Sequence, residues 1–408
     1  MVVVNALWLL APPPLRPADS CGNYYPIADR LGFMINCDAI DFVVLARSPG
    51  RLLDRGEVRQ ARPLFVVMGS LAGYPFDLLA RWLRPGIKPN MPYYAGFLAI
   101  NVLAVAAAVL VFDWLLASVG GSVWLTALLS VPLLCNDVTK AFFWSAHTQM
   151  FNMLGPLLAV AVGYGVATTR RLEVWRFQLM VLGLGVGLLI YGTFIVLLPA
   201  ALSAYWFAQR RESSITWRQA VTVAAAAGAL FLLPTALWVG VVTLRAGSYY
   251  NHEMVQYRQL VWIIDAAGQG LGTFVAVWWE YSSAFARTLM FVDILPFLVV
   301  AMAAYLLPKP VRGGASDAGA SLLDESRAEA LEFVCLATFA SLFTFFWALG
   351  FYERRLTFSI VPPLLCFIGV RFGRRFAASR WRATGGVALS VVAGLWMFYH
   401  VTKYGPFS

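Results

Sequence analysis

Asn36-Cys37-Asp38-Ala39-Ile40-Asp41-Phe42-Val43-Val44-Leu45-Ala46-Arg47-Ser48-Pro49 leads into a basic stretch, and Arg62-Pro63-Leu64 then opens an apolar run. Ile40, Phe42, Val43, Val44 and Leu45 fit a short amphipathic helix lying in a membrane interface. Asp38 and Asp41 stand three residues apart, so their carboxylates can share one helix face. Two close carboxylates raise one another's proton affinity, which suits a general base. A helix N-terminus accounts for an Asp equally well, because Asp caps free N–H groups there. This loop lies between hydrophobic segments, and those segments set the class of the chain.

Of 408 residues, 60% are hydrophobic and only 13% charged, with a mean hydropathy of +0.70. Soluble domains carry roughly 25% charged residues. Apolar runs of ~20 residues are long enough to span a bilayer. In lipid such runs are helical, because the backbone must satisfy its own hydrogen bonds. The net charge of +10 sits in short loops between apolar runs, as the positive-inside bias and attraction to anionic lipid require. There is no contiguous soluble basic domain, which argues against nucleic acid as a partner. Of the five cysteines, Cys135, Cys335 and Cys366 lie in or beside apolar runs and read as packing residues. Cys21 and Cys37 share the first loop and are either bridged or free, depending on the redox compartment.

Charge also suggests a topology. Met1 to Pro12 is a shortened first helix without a basic leader or a small-residue cleavage site. Apolar runs follow at 63–80, 92–118, 149–168, 177–208, 220–243, 286–307, 331–350, 357–371 and 384–402. Placing the basic clusters inside makes 177–208 two short passes with a turn near Tyr191-Gly192-Thr193, and makes 122–135 re-entrant. The expectation is therefore a single polytopic all-α membrane domain over 1–408, with about eleven spans and juxtamembrane helices on its outer face. Loops 13–61, 136–148, 244–285 and 351–356 face outward, and 308–330 is a flexible linker by composition. A bacterial inner or plasma membrane is the expected location, with the active face extracytoplasmic.

All three histidines, His147, His252 and His400, fall on that outer side. Polar groups crowded on one face of an apolar protein point to a site there. Arg354 and Arg355 stand at the mouth of an apolar run, where guanidinium groups suit a phosphate or snorkel to headgroups. Arg62 and Lys140 are further candidates for the same anion. His147, His252, Glu253 and Tyr352 are candidates for acceptor or sugar contacts; the aromatic residues of 244–285 read first as an interfacial belt. Asp113 and Asp293 lie inside apolar runs and are costly there unless used. No His/Cys/Asp/Glu cluster has metal-ligand spacing, so no metal is assigned from the sequence and dependence on a divalent metal stays open.

Asp38-Ala39-Ile40-Asp41-Phe42, then Leu45-Ala46 and Arg62-Pro63-Leu64, with Gly350-Phe351-Tyr352-Glu353-Arg354-Arg355 ahead of Pro362-Pro363, resembles the GT-C class of membrane glycosyltransferases. The resemblance implies transfer of a sugar from a polyprenyl-phosphate donor to an acceptor hydroxyl at the outer face, with inversion and without a required cofactor. The acceptor is a glycan, a lipid or a protein. In that class the first-loop acid is the base, which falls on Asp38; Asp41 stands where an aromatic is common, so it competes for the role. The rival expectations are a transporter or flippase for a lipid-linked or anionic solute, and a noncatalytic membrane scaffold whose first loop is a docking surface. A cavity that crosses the membrane marks the transporter, and one that opens outward onto Asp38 marks the enzyme.

Overall fold

The computed structural model describes residues 22–28, 31–84, 86–169, 172–212, 216–306, 318–378 and 382–402. The expected first helix, Met1 to Pro12, and residues 308–317 of the expected linker lie outside them.

The chain opens with an antiparallel hairpin, β1 (Gly22–Ala28) and β2 (Leu31–Asn36), in which Gly22 pairs with Asn36. Then come α1 (Ala39–Arg47), α2 (Pro63–Leu83), α3 (Met91–Ala117), α4 (Val123–Leu134), α5 (Asp137–Phe142), α6 (Phe151–Thr168) and α7 (Val174–Gly185). The second half comprises α8 (Leu197–Glu212), α9 (Trp217–Ala246), α10 (His252–Gln256), α11 (Val261–Gly268), α12 (Leu271–Leu289), α13 (Leu295–Leu306), α14 (Ala318–Leu349), α15 (Arg354–Thr357), α16 (Val361–Ala378) and α17 (Arg382–Thr402). Seven helical segments are long and apolar enough to cross a membrane: 63–83, 91–117, 148–168, 192–210, 217–246, 325–349 and 354–373. Four shorter apolar helices, at 123–134, 174–189, 295–306 and 386–400, stand among them.

Burial ranks these helices. The segments containing α6 and α16 are 72% and 83% buried over their apolar windows, against 22% for α9, so the first two form the centre and α9 lies at the rim. Around that centre, α8 and α14 pack on α6, while α4 and α13 flank α16. Helices α2 and α3 meet most closely, because small residues let their backbones approach. A Cβ on Gly96 would stand 2.5 Å from Gly73 N, and one on Gly73 would stand 2.8 Å from Tyr93 Cα. Main chain cannot yield as a side chain does, so Gly96→Ala is expected to destabilise by about 1–3 kcal/mol. Gly228→Ala, where nothing lies within 4 Å of the added carbon, should be silent. Melting in detergent measures both.

Several sequence expectations change. The first loop contains a β-hairpin that the apolar helical pattern hid. The expected loop 244–285 is largely helical: α9 runs on to Ala246 and is stopped by Gly247 at φ +79°, and α12 begins at Leu271. Trp278 and Trp347 meet edge-on, and Trp347 Nε1 donates to Ser282 Oγ at 2.9 Å, so aromatics expected in a belt pin α12 to α14. The run expected over 286–307 breaks after Leu289 and resumes at Leu295. The run 177–208 does break within the turn expected near Tyr191-Gly192-Thr193: extended backbone at Tyr191 separates two 3-10 turns. Helix α4 has 12 residues, about 18 Å, roughly half the ~30 Å hydrocarbon core. Helix α14 begins at Ala318, inside the stretch read as linker. Cys37, left open between bridged and free, is disulfide-bonded; Cys21, the other cysteine of that loop, lies outside the described residues.

Candidate functional site

Asp38 occupies the N-cap position of α1, but its side chain makes no capping bond. Its N–H instead donates to Asn36 Oδ1 at 3.0 Å, which closes the turn and leaves the carboxylate free to point elsewhere. Oδ1 lies 2.9 Å from Arg59 Nη2, and Oδ2 lies 3.5 Å from His147 Nε2. The same Arg59 nitrogen lies 3.0 Å from Asp41 Oδ2, so one guanidinium bridges both acids. Arg59 is buried, with Cζ 4.9 Å from the centre of the Phe42 ring.

This geometry reverses the expected electrostatics. The paired acids were expected to raise one another's proton affinity. Instead the His147 hydrogen bond and the Arg59 charge hold the Asp38 carboxyl well below the usual carboxylate range, against the opposing effect of burial. Burial lowers His147 to about 3, despite the pull of Asp38 toward the charged form. His147 is therefore neutral near pH 7, and its Nε2–H is the donor toward Asp38. Its Nδ1 is buried with no hydrogen-bond partner among the described residues. Phe142 and Phe42 wall the imidazole, with ring centres 5.1 and 5.8 Å away.

Two more arginines act on His147: Arg62 and Arg355 both push it toward the neutral form. Arg62 precedes Pro63, the first residue of α2, and its donors fan out to Thr148 Oγ1 at 3.2 Å and Glu253 Oε1 at 2.6 Å. Its Cζ lies 5.2 Å from the centre of the Tyr191 ring. Arg355 lies 5.6 Å from the centre of Phe142 and pairs with Glu353. Tyr191, in the break between α7 and α8, is buried, which raises its hydroxyl above the ordinary range while Arg62 and Arg355 oppose the shift. Residues nearly three hundred positions apart thus surround one imidazole. Glu253→Gln should leave Arg62 without its carboxylate and raise affinity for an inorganic phosphate probe several-fold, as loss of one largely buried competing carboxylate allows. Isothermal titration of phosphate checks it.

The floor is the segment 136–152, whose residues 136–148 were expected as an outer loop, and it is almost wholly buried. Its polar main chain is satisfied from outside. Asn101 Nδ2 donates to Phe143 O and Ser145 O at 2.9 and 2.7 Å, and Tyr94 OH donates to Trp144 O. Ser145 Oγ accepts from Asn36 N at 2.8 Å, which ties this floor to the hairpin. Asn152 Nδ2 donates to Arg355 O at 2.7 Å and its Oδ1 accepts from Ser359, which ties the floor to the arginine segment. A buried polar group without a partner is costly, so burial here is possible only with these bonds.

Of the sequence candidates, Asp38, Asp41, Arg62, His147, Glu253 and Arg355 come together. Four do not. Arg354 turns outward, with Cζ 3.7 Å from the centre of the Phe291 ring, so the adjacent arginines part company. Lys140 is buried and donates to His400 O at 2.8 Å, in a separate cluster. Tyr352 donates its hydroxyl to Trp347 O at 2.8 Å and packs on Phe285, a structural use. His252 faces Tyr250 and Tyr257 rather than the imidazole. Asp113 is exposed on α3. Arg59 and Tyr191 were not singled out from the sequence. Arg47, Arg51, Arg55, Arg59 and Arg62 are evenly scattered through the basic stretch, and no spacing marks the one that meets the acids.

No family model, curated protein or solved structure matches the chain. Fold and site together define a helical multi-pass membrane protein with a charged, partly enclosed site at one end of its bundle.

Proposed function

We propose that this chain is a membrane glycosyltransferase that moves a sugar from a polyprenyl-phosphate donor to an acceptor hydroxyl at the extracytoplasmic face, with inversion. The observation that carries the reading is the Asp38–His147 contact with Arg59, Arg62 and Arg355 around it. A carboxylate kept ionised beside anion-binding guanidinium groups is what such a transfer needs.

The acceptor oxygen attacks the anomeric carbon and forms the new glycosidic bond, while the bond from that carbon to the lipid phosphate breaks. The phosphate leaves with the electron pair, and the acceptor proton passes to Asp38. Its depressed proton affinity makes Asp38 a weak base, so the proton leaves late, when the acceptor oxygen has become acidic. His147 orients the carboxylate. Arg62 and Arg355 stabilise the departing phosphate once Glu253 and Glu353 release them. Lipid phosphate is a sufficient leaving group without a general acid.

Proteoliposomes supplied with a panel of radiolabelled polyprenyl-phosphate hexoses and pentoses test the reading. Label should pass to a membrane acceptor only with a lipid-phosphate donor. Solute flux unaffected by Asp38 substitution, with no transfer from any donor, would overturn it.

A further inference from the structure

Away from that site, Asp137 at the start of α5, Asp293 just before α13 and His400 near the end of α17 meet in the interior. All three are buried, and one ligand atom from each lies within 4.8 Å of the others. We infer that these three residues form a binding site for a divalent transition-metal ion, and that the ion clamps the floor of the candidate active site to the end of the chain's last helix.

The two ring nitrogens of His400 differ in their surroundings. Nδ1 is 3.2 Å from Asp137 Oδ1 in hydrogen-bonding geometry. Nε2 is 3.1 Å from Asp293 Oδ1. Two ligand atoms each about 2.1 Å from a shared ion stand roughly 3.0–3.4 Å apart, with lone pairs aimed at the ion and not at each other. The Nε2–Oδ1 pair has that spacing. Nδ1–H donated to a carboxylate is the arrangement that fixes a metal-bound imidazole's tautomer and raises its basicity. Asp137 therefore orients His400, and a small movement of its carboxylate would complete the set of three ligands.

The surroundings favour a retained ion. Trp396 covers one face of His400, ring centres 4.6 Å apart, and is itself held by a bond to Cys135 O. Beside it lies a cavity of about 330 Å³ lined by apolar side chains, among them Pro132, Phe297, Leu365 and Trp396. An apolar flank keeps water from competing and lowers the local dielectric. One imidazole with two carboxylates suits Zn²⁺ or Mn²⁺ more than a soft ion or a hydrated Mg²⁺. Lys140, bound to His400 O, places a cation nearby and weakens the site by repulsion. Sequence spacing hides the cluster, since its members lie 156 positions (137 to 293) and 107 positions (293 to 400) apart. The consequence runs through α5. Asp137 begins it, Phe142 ends it, and Phe142 packs on His147, so the clamp supports the residue that touches Asp38.

The test uses the full chain purified in detergent without chelator, incubated with Zn²⁺, desalted and assayed for zinc by elemental analysis. The expected result is about one zinc per chain, falling at least tenfold in His400→Gln and Asp293→Asn, as loss of one of few ligands requires. Lys140→Met is expected to keep or raise zinc affinity, because the competing charge it removes outweighs the bond to His400 O that it also gives up. If either ligand variant fails to fold, Co²⁺ loaded into the unaltered protein should give visible d–d absorption that added Zn²⁺ displaces. The inference is overturned if the unaltered protein retains no zinc and gives no cobalt spectrum. It is equally overturned if folded His400→Gln retains as much zinc as the parent. Either result would leave a charged imidazole held between two carboxylates. Zinc content is read independently of sugar transfer, so this site stands or falls apart from the proposed reaction.

Discussion

Asp38→Asn is expected to lower sugar transfer by ~10²–10⁴, the usual contribution of a positioned base, while polyprenyl-phosphate binding stays close to that of the parent. The amide keeps the size of the side chain and can still touch His147, but it cannot take a proton. The phosphate contacts proposed for Arg62 and Arg355 do not involve Asp38, and the substitution leaves both arginines in place. Asp41→Asn is the informative companion. Asp41 shares Arg59 with Asp38 but does not approach His147, so its loss should slow transfer far less and tighten Arg59 on Asp38. Rate and donor affinity, measured separately in proteoliposomes, decide between the two acids. Full transfer by Asp38→Asn with inactivity of Asp41→Asn would move the base by one helical turn.

Arg59→Met has the second largest expected effect, on stability and on pH dependence together. Arg59 is nearly buried, whereas its two partners are a third to a half exposed. Breaking a fully buried pair costs 3–5 kcal/mol, and the solvent exposure of the acids reduces that to about 2 kcal/mol. The Arg59 contact with Phe42 is retained in part by the Met side chain. The pH effect has a definite sign. Asp38 is depressed in the folded protein, so its contribution to stability is complete above the ordinary carboxylate range and is lost as pH falls through the lower, folded value. Without Arg59 the His147 contact alone depresses Asp38, so the acid limb of both stability and transfer should move upward, toward ordinary carboxylate values. A melting series in detergent from pH 3 upward checks the first, and the acid limb of the rate profile checks the second. An unmoved acid limb would mean that Arg59 does not govern the Asp38 charge.

The structure gathers some of the residues picked from the sequence and separates others, for reasons visible in particular residues. Asp38 and Arg62 were legible because each sits at a helix boundary with a local signature: an acid before an apolar helix, and Arg-Pro opening a long one. His147 and Glu253 were legible only as polar residues on one expected face. Arg354 and Arg355 looked equivalent, but successive residues on a helical turn point in different directions, so only one can join the cluster. Lys140 lies apart from the others, and a lysine in a polar segment gives no hint that the segment is buried. The expected exposed loop became the floor of the site through Asn101, Tyr94 and Asn152, which lie in helices and supply the hydrogen bonds that permit burial.

Apolar runs of membrane length and sparse charge determine by themselves that this chain is built of lipid-compatible helices, since hydrocarbon offers the backbone no other partner. Which guanidinium neutralises which carboxylate, which arginine of an adjacent pair turns inward, and whether two aspartates and a histidine separated by more than a hundred residues meet at all were decided only in three dimensions. Those outcomes depend on long-range packing and on the cost of leaving buried polar groups unpaired. Neither quantity leaves a periodic trace along the chain.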